Sequence, residues 1–301
     1  MFYCSDGIED MTTAVTTIST SDTQVDERFD ATSSTDRLAR RNKTDISAEG
    51  VPSGGNDRLA VGPRRTSPPR GSLRGIDWSS VTAHLDARGW AVIQKVLDAD
   101  QCRAIAGLYD DDEQFRSHVV MAKHGFGQGE YKYFSYPLPR IIADLRSALY
   151  VRLAPLANRW NEEMGLAVRY PDTHADFITR CHKAGQTRPT PLLLQYGSGD
   201  YNCLHQDLYG EHVFPFQVTF LLSEPEQDFS GGEFVLTEQR PRMQSRVEVV
   251  PLRRGDGVIF AVSHRPVQGS RGTYRVNLRH GVSEVRSGRR HTVGVIFHDA
   301  R

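Results

Sequence analysis

Between residues 186 and 301 the chain breaks into eight short apolar or alternating runs, each closed by turn residues. They are PLLLQY, NCLHQD, FPFQVTFLLS, GEFVLTE, VEVVPL, GVIFAV, TYRVNLRH and HTVGVIFH. Runs of this length with period-two alternation are strands. Packed into about 110 residues, they leave no room for the crossover helices that parallel strands need. The pattern therefore predicts a two-sheet antiparallel jelly roll rather than a parallel α/β sheet. Small barrels of this kind carry ligand sites in their mouths.

Upstream, over residues 76–185, the period changes to that of helices. Asp77 and Gly89 bracket WSSVTAHLDAR as cap and stop, WAVIQKVL reads as a strand, and Asp98 with Gln101 forms a capping box opening a helix through Tyr109. From Leu138, apolar residues recur every three or four positions to Trp160, a long amphipathic helix with a kink expected at Pro155. DTHADFITRCHKAG reads as a further helix, capped by Asp172 and ended by Gly185. The fold class expected is α+β: a helix-rich N-terminal layer over 76–185 on a jelly-roll core over 186–301. Between the helices lies HGFGQGEYKYFSYPLP, where Tyr131, Tyr133, Phe134 and Tyr136 follow three glycines. Aromatics on a glycine-hinged loop can stack on a flat substrate or pack beneath the domain.

Residues 1–75 are rich in Ser, Thr, Asp, Arg, Gly and Pro without a period and are expected to be a disordered tail. Charge is split within them, with eight acids and one base up to Asp36 and nine bases and three acids from Arg37 to Gly75. The first residues have neither a basic n-region nor an apolar h-region, and no stretch approaches the roughly 18 apolar residues of a membrane span. Cys4, Cys102, Cys181 and Cys203 are scattered, which argues against a disulfide framework or a cysteine-built zinc site and for a cytoplasmic location.

Chemistry concentrates at His205-Gln206-Asp207. A histidine and a carboxylate two residues apart project from one face of a strand and suit a common metal ion. With a second histidine they complete a facial triad that holds Fe(II) and leaves coordination positions open. The competing reading of an isolated H-x-D is a solvated loop or a satisfied core histidine. Two later histidines compete for the third place: His264 after GDGVIFAVS, and His280 closing YRVNLRH. Arg290 follows His280 by ten residues, at the start of the next strand. A guanidinium there grips a carboxylate through two parallel hydrogen bonds. For His264, the corresponding arginine is Arg275. His291 and His298 are read as structural, and His212 has no alternation forcing it inward.

Several segments occur together and in order: Tyr196-Gly197-x-Gly199, His205-x-Asp207, Gly231-Gly232-Glu233-Phe234, Gly255-Asp256-Gly257-Val258-Ile259-Phe260, and His280-Gly281-Val282 with Val285, Gly288 and Arg290. In this combination the chain resembles the 2-oxoglutarate- and Fe(II)-dependent dioxygenases, over about residues 192–298. From about Trp90 onward it resembles more narrowly their bacterial nucleic-acid type. The resemblance implies a double-stranded β-helix, cupin-like core, with His205, Asp207 and His280 as catalytic iron ligands. It implies Arg290 as anchor for the distal carboxylate of 2-oxoglutarate, assisted by Tyr196. Fe(II), 2-oxoglutarate and O2 are then the cofactors and co-substrates, with ascorbate as an in-vitro supplement. The implied reaction is oxidative demethylation or hydroxylation of a nucleic-acid base. Hydroxylation of a protein side chain, as in prolyl-hydroxylase relatives, or of a small metabolite is the enzymatic alternative, and a cupin-like binding module the non-enzymatic one. The spacing departs from the pattern in one place, where 24 residues separate Asp256 from His280.

The substrate expected is anionic, single-stranded or damaged DNA or RNA. From Arg240 to Arg290 there are twelve arginines, no lysines and three acids in a chain of zero net charge. Arginines in turns reach phosphates. The alternative is that they pair with acids elsewhere in the chain.

Overall fold

The structure, a computed structural model, describes residues 73–208 and 210–301. All but the last three residues of the expected tail lie outside the described residues. Asp77 caps α1 (Trp78–Arg88) and left-handed Gly89 ends it. β1 (Trp90–Ile93) covers only the first half of WAVIQKVL. The Asp98–Gln101 capping box opens α2 (Ala99–Gly107). β2 (Phe115–Val120), β3 (Gly127–Gln128) and β4 (Glu130–Phe134) follow. α3 (Arg140–Glu163) runs through Pro155, and α4 (His174–Lys183) is capped by Thr173 rather than Asp172. Thr173 wins because its hydroxyl bonds the Asp176 N–H at the position three residues on.

The core strands are β5 (Leu192–Tyr196), β6 (Tyr201–His205), β7 (Phe216–Leu221), β8 (Phe229–Gly231), β9 (Phe234–Gln239), β10 (Arg246–Val250), β11 (Gly257–Ala261), β12 (His264–Gly269), β13 (Gly272–Val282), β14 (Val285–Gly288) and β15 (Arg290–Ile296). Each of the eight sequence runs overlaps one of them, and β8, β12 and β14 lie outside the runs. One sheet has the order β1-β11-β7-β15-β5-β4-β2 and the other β10-β9-β13-β6-β3, with β12 against β13 and a small β14-β8 pair. Every pairing between these strands is antiparallel, giving the expected jelly roll. Residues 76–185 supply strands to both sheets as well as helices.

Alternation divides the larger sheet into two faces. Phe216, Val218 and Phe220 of β7, with Val293 and Val295 of β15, pack in one cluster with Leu145, Leu149, Leu153 and Trp160 of α3. Burial of each such side chain contributes roughly 1.5–3 kcal/mol. The intervening residues Gln217, Thr219, Thr292, Gly294 and Ile296 line a cavity between the sheets. α3 is also tied to the end of the chain. Buried Arg146 donates to the Ile296 carbonyl at 2.7 Å, the His298 carbonyl at 3.0 Å and the Asp299 carboxylate at 2.7 Å. Tyr136 and His182 close on the other Asp299 oxygen at 2.9 and 2.8 Å. Among the described residues no helix is long and apolar enough to cross a membrane.

Candidate metal centre and co-substrate cavity

β6 stops at His205, so Asp207 stands on the loop beyond it rather than on the strand face the spacing predicts. The loop is pinned by Gln206, whose amide nitrogen donates to the Leu278 carbonyl at 2.7 Å and to Asn277 Oδ1 at 3.2 Å on β13. This tether turns the Asp207 carboxylate inward. It was not legible beforehand, because Gln206 bonds residues more than 70 positions away.

β13 sets His280 directly opposite His205. Their ring centroids are 4.2 Å apart. The two oxygens of Asp207 divide between them, Oδ1 lying 3.5 Å from His205 Nε2 and Oδ2 3.4 Å from His280 Nε2. One ligand atom from each residue falls within 4.8 Å of the others. His205 Nδ1 sits 2.7 Å from the Cys203 carbonyl, which can only accept, so Nδ1 carries the proton. Nε2 then faces the cluster with a free lone pair. Burial, and then the neighbouring His205, hold the His280 imidazole below its usual pKa and keep it neutral. Burial pushes the Asp207 carboxyl up, but its contacts with His280, His205 and Gln217 outweigh that and lower it. A metal requires neutral imidazole and ionised carboxylate ligands, and the shifts at His280 and Asp207 both run in that direction. As a donor set they fit Fe(II) with positions left open.

The cavity beside the cluster is about 290 Å³, and Arg290 forms part of its wall. Arg290 is 1% exposed, and its Nε and Nη1 have no hydrogen-bond partner among the described residues. Burial pushes its pKa down to about 10, so it stays charged at neutral pH. It is flanked by the Tyr196 and Phe229 rings, at 5.5 and 5.8 Å, rather than by a carboxylate. Gly232 lets it lie there: at φ +61°, a Cβ would stand 2.9 Å from Arg290 Cδ and 2.8 Å from Val285 Cγ2. A buried guanidinium without a carboxylate partner suits an anionic ligand. Tyr196 is fully buried and accepts from Asn202 Nδ2 at 3.4 Å, with burial pushing its phenol up to about 12.

The rival residues lie elsewhere. His264 pairs with Asn277 on the β12–β13 hairpin and is outside the cluster. Arg275 is exposed and donates to the Met164 carbonyl of α3. His291 bonds Gln195, and His298 Nδ1 accepts the Phe214 N–H. The His212 N–H donates to Gln186. The arginine cluster divides. Arg240 and Arg265 pair with Glu238, Arg246 with Glu248, Arg254 with Glu224 and Asp228, and Arg286 with Glu233. For these five, the alternative of pairing with acids within the chain holds. Of the four aromatics read for stacking, Phe134 is in the core and Tyr136 bonds Asp299, while Tyr131 and Tyr133 line the cavity.

A jelly roll that gathers two histidines, a carboxylate and a buried arginine around one inner cavity is the arrangement that the resemblance to the 2-oxoglutarate- and Fe(II)-dependent dioxygenases implies. A family model described as an oxygenase catalysing oxidative methylation of damaged DNA matches residues 129–300, and the chain belongs to that family. The Mycobacterium tuberculosis proteins MT2286 and Rv2227, both uncharacterized, are each 52% identical to it over 167 residues, 56% of this chain and 72% of theirs. Among solved structures, a Pseudomonas putida prolyl-4-hydroxylase is 16% identical with a TM-score of 0.45, over 74% of this chain and 99% of that one. A Trichoplax adhaerens prolyl hydroxylase in complex with a hypoxia inducible factor peptide is 13% identical with a TM-score of 0.47, over 72% and 86%.

Proposed function

We propose that His205, Asp207 and His280 hold Fe(II), that Arg290 and Tyr196 receive the distal carboxylate of 2-oxoglutarate, and that the substrate is a methylated base in single-stranded or damaged nucleic acid. The observation that carries the site assignment is the pair of unpartnered Arg290 donors in the wall of the cavity that the three ligands share. The family description supports the substrate. When bound, iron with 2-oxoglutarate and O2 supplies the oxidising equivalent that hydroxylates a substrate C–H bond as the keto acid becomes succinate and carbon dioxide. At an N-methyl carbon the hydroxylated product breaks down to formaldehyde and the unmethylated base.

The chain's own contribution is positional. Cys203 fixes the His205 tautomer, Gln206 holds the Asp207 loop against β13, and the fixed β13–β6 register aims His280. Arg290 would hold one end of the co-substrate in the cavity that the three candidate ligands also line. The helices over the larger sheet exclude water from behind the site.

The test is succinate and formaldehyde formation with Fe(II), 2-oxoglutarate and an N-methylated single-stranded oligonucleotide, with peptides and amino acids in parallel. Oligonucleotide-dependent release of both products is expected. Turnover confined to peptides or amino acids would overturn the substrate reading and leave the enzyme class standing.

A further inference from the structure

Phe126 is a large aromatic left at the surface. Its ring is 42% exposed, although its backbone is held on both sides. The Phe126 N–H donates to the Met121 carbonyl at 3.2 Å, and its own carbonyl accepts the Cys203 N–H at 2.9 Å. The turn is pressed so closely against β6 that a Cβ on Gly127, at φ +129°, would lie 2.4 Å from the Tyr201 carbonyl. Phe126 is thereby fixed to the strand that carries His205, and it forms part of the wall of the cavity that holds the ligand cluster. It joins none of the buried clusters, so packing does not account for it. The exposed His124 ring stacks on it at 5.3 Å and 23°. Leu204, 46% exposed, is a second apolar group in the same wall. Lys123 is exposed and has no ion partner among the described residues.

We propose that the Lys123–Phe126 turn is the docking element for the target nucleotide, with the Phe126 ring stacking on the extruded or unpaired base and the Lys123 ammonium contacting an adjoining phosphate. A rigid aromatic with a cation three residues away matches how single strands are held: a π-face for any base and a charge for the backbone. A base acted on at the iron must leave its stack, and a ring fixed in the cavity wall replaces part of the stacking lost. His124 behind Phe126 extends the shelf, and Leu204 gives the base an apolar neighbour. The proposal rests on the nucleic-acid reading of the site.

The experiment compares the full chain with Phe126→Ala, Phe126→Leu, Phe126→Tyr and Lys123→Ala, using an N-methylated single-stranded oligonucleotide and following formaldehyde release. Phe126→Ala and Phe126→Leu should raise KM about 10- to 100-fold with kcat largely kept, and Phe126→Tyr should restore it. Lys123→Ala should reduce the slope of log affinity against log salt by about 0.7. Co(II) affinity and melting temperature should not change, because neither Phe126 nor Lys123 is a metal ligand or part of a buried cluster. A wild-type oligonucleotide KM in Phe126→Ala or Phe126→Leu overturns this docking element while leaving the nucleic-acid reading intact. Absence of oligonucleotide binding and turnover by the unaltered protein at low salt overturns both.

Discussion

Arg290 and Tyr196 face one another across the β15–β5 pair, the first residue of one strand against the last of the other, with the guanidinium carbon 5.5 Å from the ring centroid. The guanidinium is thereby held under an aromatic face with two donors unspent. Arg290→Lys should raise the 2-oxoglutarate concentration for half-maximal turnover at least 10-fold, since one ammonium cannot reproduce a two-point grip. Gly232→Ala should act in the same direction without touching the charge, because its methyl would displace the Arg290 stem. Titration of the initial rate with 2-oxoglutarate reads both. An unchanged half-saturation in Arg290→Lys would remove the residue from co-substrate binding.

Metal affinity should separate the two candidate histidines, of which only His280 lies in the cluster. His280→Ala should weaken Co(II) or Fe(II) binding by more than the 10–100-fold typical of losing a residue that merely supports a ligand. His264→Ala, on the outer hairpin, should bind metal as the unaltered protein does. Absorbance titration with Co(II) distinguishes them, and the reverse order of effects would invert the assignment.

Asp299 carries the attachment of the chain's last residues to α3. Asp299→Asn leaves the shape and removes the charge facing Arg146, both groups being almost fully buried. Leaving a buried guanidinium unpaired costs about 3–5 kcal/mol. Thermal unfolding should therefore fall by roughly 10 °C in a domain of this size. A fall of less than about 3 °C would show that water reaches Arg146.

Acid should destabilise the fold through His174. Burial, and then the Arg146 charge, push its pKa down to about 4 from 6.5, and its Nε2–H donates to the Phe297 carbonyl at 2.8 Å. The folded state thus binds fewer protons than the unfolded one between those values. The stabilisation is complete above about pH 6.5 and is lost as pH falls toward 4, to the extent of roughly 3 kcal/mol. His298, also pushed down to about 4 by burial, acts in the same window. His174→Gln keeps a donor and cannot titrate, so its melting temperature should fall less between pH 7.5 and 5 than that of the unaltered protein. Parallel curves would exclude His174 as a source.

What the sequence determined is what is local. Alternation marks eight of the eleven core strands, all but β8, β12 and β14, because side chains change face at every residue, and Asp77 and Asp98 mark helix starts because a cap bonds an N–H three positions on. His205-x-Asp207 and the spacing from His280 to Arg290 were legible for the same reason. The resemblance pointed to His280 over His264, and the β13–β6 register, set by hydrogen bonds between segments some 75 residues apart, is what brings it to His205. Tertiary structure alone decided the rest. Asp207 turns inward because Gln206 reaches β13, not because of strand periodicity. β2 and β4 sit at one edge of the larger sheet, and the glycines that precede β4 in HGFGQGEYKYF mask its alternation. Glu238, outside the arginine-rich window, takes up two of its charges, and Phe126 stays exposed while Phe134 is buried. Charge pairing and exposure depend on which surfaces meet, and distant chain segments meet only once the sheets have closed.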